Sequence, residues 1–271
     1  IIPDYLTISL NPTIGLMHDG RIDAALVLSG GVARGLSHIG TCKALFELGI
    51  HPKVIAGTSA GAIIGAFIAK GFHADEIEAI ALKTNIISLT NFSPGNLGLF
   101  KPNSIKRNLQ KYLGNINFED LDVELIVAAT DIKKGKPHYL KSGPLIPALL
   151  ASSAIPMIYK PVKINHIMLI DGGISDNFPV EAISPCPHKI IGCHANPVAV
   201  IEKDLSYRAL IDRCITVALH KDILHKKHLC DVYLEPPELA AYGLFQISMA
   251  KEIIQIGYRY THSVKQLFHT P

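Results

Sequence analysis

The chain has 271 residues, 48% hydrophobic and 18% charged, so it can bury a core and is neither a disordered tail nor a solvating segment. Its 26 Lys and Arg against 23 Asp and Glu leave a net charge of +3, scattered rather than striped, which gives no support for nucleic acid as a partner. The longest apolar stretch, Ala60 to Ala69, is roughly half a membrane span, and the five cysteines form no CxxC pair; a transmembrane protein, a disulfide framework and a structural zinc site are all argued against.

Reduced thiols fit a cytoplasmic or peripheral-membrane setting. Ile1 in place of Met is consistent with a removed leader or upstream domain. No repeat or low-complexity linker divides the chain, so one domain is expected over 23–271 after an irregular lead-in, 1–22.

Asp23–Ser29 is a nearly continuous apolar run, as in a buried parallel strand. A glycine-rich turn at Gly30–Gly35 leads into a helix over Leu36–Leu48, closed by Gly49. Lys53–Ala56 reads as a second short strand and runs through Gly57-Thr58-Ser59-Ala60-Gly61 into a helix ending near Gly71. Strand, turn and helix twice in succession predict a parallel sheet covered by helices. Further on, the pattern predicts helices over Asp75–Thr84 and from Asn103 to Leu113, a buried strand over Val123–Thr130, a polar turn at Lys133–Lys136 and a small-residue helix over Pro144–Ala154. Val162–Ile170, broken at Asn165-His166, reads as a strand or tight hairpin ending at Asp171-Gly172-Gly173. Strands at Lys189–Cys193 and Val232–Glu235 and helices over Leu205–Leu224 and Gln246–Phe268 complete the chain.

The loop Gly30-Gly31-Val32-Ala33-Arg34-Gly35 is not a dinucleotide fingerprint, because Val32 stands at the second glycine and no acid ends the next strand. It lacks the Lys-Ser/Thr of a phosphate loop. An oxyanion hole and a plain tight turn remain. The second turn, Gly57-Thr58-Ser59-Ala60-Gly61, matches G-x-S-x-G between a strand and a helix. A serine on such a corner exposes its hydroxyl only if its neighbours two residues away carry no side chain, and Gly57 and Gly61 satisfy that; the competing role is helix capping. A serine nucleophile needs a base. No histidine stands at a strand end with a partner acid in the order an α/β-hydrolase requires, whereas Asp171 ends an apolar strand and precedes two glycines. The alternative for Asp171 is an Asx-type turn. His225-x2-His228-x-Cys230 offers too few ligands for zinc, and Cys42 and Cys193 read as core residues.

Together these elements resemble the patatin-like phospholipase family. Ser29 to Gly40 looks like its oxyanion segment, Gly57–Gly61 its nucleophile motif, and Asp171-Gly172-Gly173 with Asp176-Asn177-Phe178-Pro179 its aspartate block. Ala151–Pro156 and Tyr242-Gly243-Leu244-Phe245 are similar to bacterial members. The resemblance implies a three-layer α/β/α fold with a mostly parallel sheet and a Ser59–Asp171 dyad without histidine. Amides of Gly30, Gly31 and Val32 would hold the oxyanion, and Arg34 would orient that loop or meet a phosphate. Gly35, Gly57, Gly61, Gly172 and Gly173 would support the motifs. It implies a lipid acyl hydrolase (phospholipase A, lysophospholipase or carboxylesterase) acting on phospholipid or another acyl ester with neither cofactor nor metal. A noncatalytic scaffold and a soluble acyl-thioesterase are the alternatives. The family usually has a third glycine where this chain has Val32; a positive φ there would strain a β-branched residue. The charge-free segment Asn85–Phe100 is expected to border the site and meet lipid.

Overall fold

The computed structural model describes residues 21–84, 103–202, 204–221 and 223–268. The expected lead-in and the segment Asn85–Phe100 lie almost wholly or wholly outside them. The strands are β1 (Ile22–Leu28), β2 (Ile50–Thr58), β3 (Glu124–Asp131), β4 (Lys136–Leu140), β5 (Val162–Ile164), β6 (Ile167–Asp171), β7 (Lys189–Cys193) and β8 (Val232–Leu234). The helices are α1 (Ser37–Glu47), α2 (Ala60–Ala69), α3 (Ala74–Thr84), α4 (Asn103–Leu113), α5 (Leu145–Ser152), α6 (Tyr207–His220), α7 (Ile223–Lys226) and α8 (Ala250–Ser263). They build an α/β fold around a mixed, mostly parallel sheet of order β5-β6-β3-β2-β1-β7-β8, with β4 also on β3.

β1, at the centre, is buried on both faces. Ala24, Leu26 and Leu28 join the larger core under the long helices; Ala25 and Val27 join a smaller one with Phe178, Val180, Ile183 and Ile223. The second face is thus closed by short turns rather than by long helices.

The register on β3 positions everything that follows. β2 pairs with β3 up to Thr58↔Ala128, and β6 begins its pairing at Asp171↔Ala129. β4 pairs with Val127–Asp131, overlapping both. A strand residue has one partner per edge, so β2 and β6 share one edge of β3 end to end, and β4 takes the other.

Several boundaries depart from the sequence pattern. β2 is longer than Lys53–Ala56 because a register shift opposite Ala24 and Ala25 absorbs Pro52-Lys53. β4 escapes the pattern because it is a half-exposed strand with Pro137 in it. The helix expected over Leu205–Leu224 ends at His220, and Ile223 starts a separate turn that inserts into the smaller core. The terminal helix is shortened to α8 by tight turns at both ends. The ambiguous Val162–Ile170 run is a hairpin, with Asn165 and His166 both at positive φ (45° and 67°), the geometry of a two-residue turn. Among the described residues no helix is long and apolar enough to cross a membrane.

α1 and α8 pack at backbone contact. A Cβ on Gly257 would be driven into the Ser37 carbonyl, and one on Gly40 into the Ile254 carbonyl. Gly257→Val is expected to destabilise the fold by about 3 kcal/mol or more, read as a lower urea midpoint.

Candidate active site

Ser59 sits on the corner between β2 and α2 with φ 51° and ψ −116°, a conformation a side-chain-bearing residue adopts only under constraint. The constraint is visible on both sides. A Cβ on Gly57 would come within 2.7 Å of the Ala62 nitrogen, and one on Gly61 would collide with the Leu28 carbonyl. The Ser59 N–H donates to Ser152 Oγ (2.8 Å), and that hydroxyl donates to the Ala128 carbonyl (2.6 Å). α5 therefore pins the corner to β3.

The Ser59 hydroxyl donates to Asp171 Oδ2 at 2.8 Å. The other oxygen, Oδ1, accepts the Gly173 N–H at 2.8 Å. The Asp171 backbone is held too: its N–H donates to Ala154 O (3.0 Å), and its carbonyl accepts the Thr130 hydroxyl (2.8 Å). Gly172 lies against the Ala128 carbonyl so closely that no Cβ fits. Burial pushes the Asp171 carboxyl up to about 6, with the two hydrogen bonds opposing it. Among the described residues no histidine hydrogen-bonds either side chain. His38 is buried on the Ser29 carbonyl (2.9 Å), and burial holds it down near 4; His194 is paired with Glu235 (2.6 Å).

The glycine loop passes over this pair. A Cβ on Gly30 would be 3.4 Å from Ser59 Cβ, and one on Gly35 2.5 Å from Ala60 Cβ. Of the three amides expected to face an oxyanion, that of Gly30 is turned to Asn177 O (3.2 Å), and the Gly30 carbonyl accepts from Asn196 Nδ2 (2.6 Å). Among the described residues nothing accepts the Gly31 and Val32 N–H groups. Val32 has φ 49°, the left-handed conformation expected of a glycine at that place, and lines a recess with Ser59, Ser153, Ile105, Ile155 and Tyr159. Of the two roles considered for Arg34, the structure places it as a brace: it is 4% exposed, donates to Tyr242 O (2.6 Å) and Thr216 Oγ1 (3.4 Å), and faces Asp212 at 3.5 Å.

Sequence reasoning missed Ser152 and Asn196 as supports of the two loops. It also missed Lys226, whose ammonium meets buried Asp176 at 2.8 Å beside the Tyr139 hydroxyl (2.7 Å). The Thr58 hydroxyl donates to the Asp176 carbonyl (3.0 Å), which ties this pair to the corner. The paired serines at Ser152-Ser153 were the available signal for the first; the others are joined only by folding. His225, His228 and Cys230 form no ligand set among the described residues; the one cluster with ligand spacing is His194, His220 and Glu235, and its carboxylate already accepts from His194 and the Tyr233 hydroxyl.

A hydroxyl on a strained strand-to-helix corner, aimed at a desolvated carboxylate beneath a glycine loop, is an arrangement able to perform acyl transfer on an α/β fold. The chain belongs to the patatin-like phospholipase family, whose model matches residues 26–183. An uncharacterized NTE family protein of Mycobacterium bovis is 35% identical over 163 residues, 59% of this chain and 45% of that protein. Lysophospholipase NTE1 of Pyricularia oryzae is 27% identical over 275 residues, 87% of this chain and 18% of that protein. The chain thus spans less than half the length of either relative. Among solved structures, VipD of Legionella pneumophila shares the fold, with a TM-score of 0.52 at 15% identity over 91% of this chain and 67% of that one.

Two outcomes are expected. Asp171 is raised from 3.8 to about 6 on folding, so its neutral form favours the fold; that stabilisation is full below pH 4 and lost as pH rises through 6. Asp171→Asn should therefore be more stable than the wild type at pH 8, by up to roughly 3 kcal/mol, with the difference vanishing near pH 4 in parallel urea melts. Val32→Gly relieves a left-handed β-branched residue but loses a buried side chain, effects of about 1–2 kcal/mol each in opposite senses. It should keep the melting temperature within a few degrees and leave p-nitrophenyl ester turnover equal or higher; a large fall would assign the Val32 side chain a role in holding the acyl group.

Proposed function

We propose that the protein is a lipid acyl hydrolase, of phospholipase A, lysophospholipase or carboxylesterase type, with 23–271 as the catalytic unit. The observation that carries this reading is the 2.8 Å hydrogen bond from Ser59 Oγ to a buried Asp171 whose carboxyl is pushed up to about 6. At neutral pH such a carboxylate is ionised, and it is a better base than an exposed one.

Ser59 Oγ attacks the acyl carbonyl carbon while Asp171 takes its proton. The N–H groups of Gly31 and Val32 meet the developing oxyanion, aided by the N-terminus of α2. Collapse expels the alcohol, which takes the proton from Asp171 and leaves the acyl group on Ser59. Water then gives a proton to Asp171 and attacks the acyl carbon; collapse releases the fatty acid, and the proton returns to Ser59. Val32, Ile63, Ile105, Ile155 and Tyr159 give the recess beside Ser59 an apolar lining suited to a hydrocarbon chain.

Ser59→Ala and Asp171→Asn should each lower kcat/KM on a p-nitrophenyl ester by on the order of a thousandfold, with the double variant hardly worse, because the two act as a unit. Wild-type kcat/KM should rise with pH through about 6 and then level, since the base must be ionised. If His38→Ala or His194→Ala, still folded, matches Ser59→Ala, a histidine is the base and the dyad is wrong.

A further inference from the structure

α6 is built inside out. Among its described side chains, Asp212 faces Arg34 (3.5 Å) and accepts the Leu244 N–H (2.8 Å), Arg213 donates to Ala199 O (2.7 Å), and Thr216 is buried against Arg34, all toward the protein. Its apolar residues turn outward at helical spacing, with Tyr207 (80% exposed), Leu210, Ile211 and Val217 all in water. The preceding loop continues the surface with Val200 (90% exposed) and Ile201. Exposing so many large side chains on one helix and its adjoining loop calls for a partner.

We propose that this surface docks the protein on an anionic lipid bilayer, with the apolar face of α6 in the headgroup region and the site facing the membrane. The proposal rests on the lipid-hydrolase reading and adds where the lipid lies. Position supports it. Leu219, near the end of α6, packs against Gly173, two residues from Asp171, and the next residue, Ile174, is 58% exposed. β7, which the loop carrying Val200 and Ile201 follows, ends at the same edge of the parallel strands where Ser59 follows β2.

Charge at this edge favours a bilayer. The turn after β3 emerges at that same edge and presents exposed Lys133, Lys134 and Lys136; among the described residues Lys133 and Lys136 have no acidic partner, and Lys134 only a loose one in Asp131 (3.9 Å). Anionic headgroups complement that lysine turn, while the exposed Glu202 and Asp204 next to Ile201 keep the loop at the membrane surface rather than within it. Exposed apolar residues together with a lysine turn at the same edge give binding that weakens with salt and strengthens with anionic lipid.

Co-sedimentation with phosphatidylcholine vesicles, with and without phosphatidylglycerol, tests this directly. Wild type should bind the phosphatidylglycerol vesicles preferentially and lose binding in high salt. Leu210→Ser/Ile211→Ser should cut binding on the order of tenfold, and Lys133→Glu/Lys136→Glu should erase the preference for phosphatidylglycerol. Both should turn over p-nitrophenyl butyrate within about twofold of wild type, as exposed substitutions do. If the α6 pair lowers the melting temperature, Val200→Ser in the exposed loop repeats the test without touching the helix. Wild-type binding by all the apolar variants, or indifference of the wild type to phosphatidylglycerol, would overturn the proposal. So would a dimer, seen by light scattering, that the α6 pair abolishes. A wild type inactive on every ester would sink the hydrolase reading alone, because vesicle binding is read without turnover.

Discussion

One edge of one strand organises the molecule. β2 leaves the edge of β3 at Ala128 and β6 takes it over at Ala129, so the end of one strand and the end of another meet at consecutive residues. Ser59, just past Thr58, and Asp171 therefore face each other from opposite directions, and neither needs a long loop to reach the other. The small residues around the junction follow from this crowding. Gly57, Gly61 and Gly172 each lie where a Cβ would meet backbone. Ser152, reaching from α5 to Ala128 O and the Ser59 amide, fills the gap left where β2 turns away.

Crowding also sets the chemistry. A carboxylate at the end of an apolar strand loses its water, and two hydrogen bonds return only part of what it loses. The same burial that makes Asp171 a stronger base makes it costly to keep ionised, which is why stability and reactivity at this position are expected to move in opposite directions with pH. The cost is carried by the surroundings. Lys226 neutralises Asp176 on the far side of the block, Arg34 ties the glycine loop to α6, and Asn196 holds Gly30 from the end of β7.

Local features of the fold were legible in the sequence. The two strand-turn-helix units, the hairpin break at Asn165-His166 and the junction glycines are properties of a few consecutive residues, and each stands where the pattern put it. Val32 at positive φ follows from a loop whose backbone path is fixed by its neighbours rather than by its own side chain. What escaped the sequence depends on distance. The Asp176–Lys226 pair spans 50 residues, and its lysine ends a short turn whose first residues the periodicity merged into α6. β4 is half exposed and carries a proline, so alternation alone did not reveal it. The outward apolar face of α6 has the same periodicity as a buried one; only the packing tells which way it points.

The central claim is that the Asp171 carboxylate, and no histidine, activates Ser59. Reaction with a fluorophosphonate, followed by mass spectrometry of the modified peptide as a function of pH, measures that activation at the serine itself. The label should appear on Ser59, at a rate that climbs through a single ionisation near pH 6 and is unchanged in His38→Ala and His194→Ala. Asp171→Asn should abolish the pH dependence and nearly all of the labelling. Rapid labelling of Ser59 in Asp171→Asn, or a pH dependence that disappears with a histidine instead, would contradict the account.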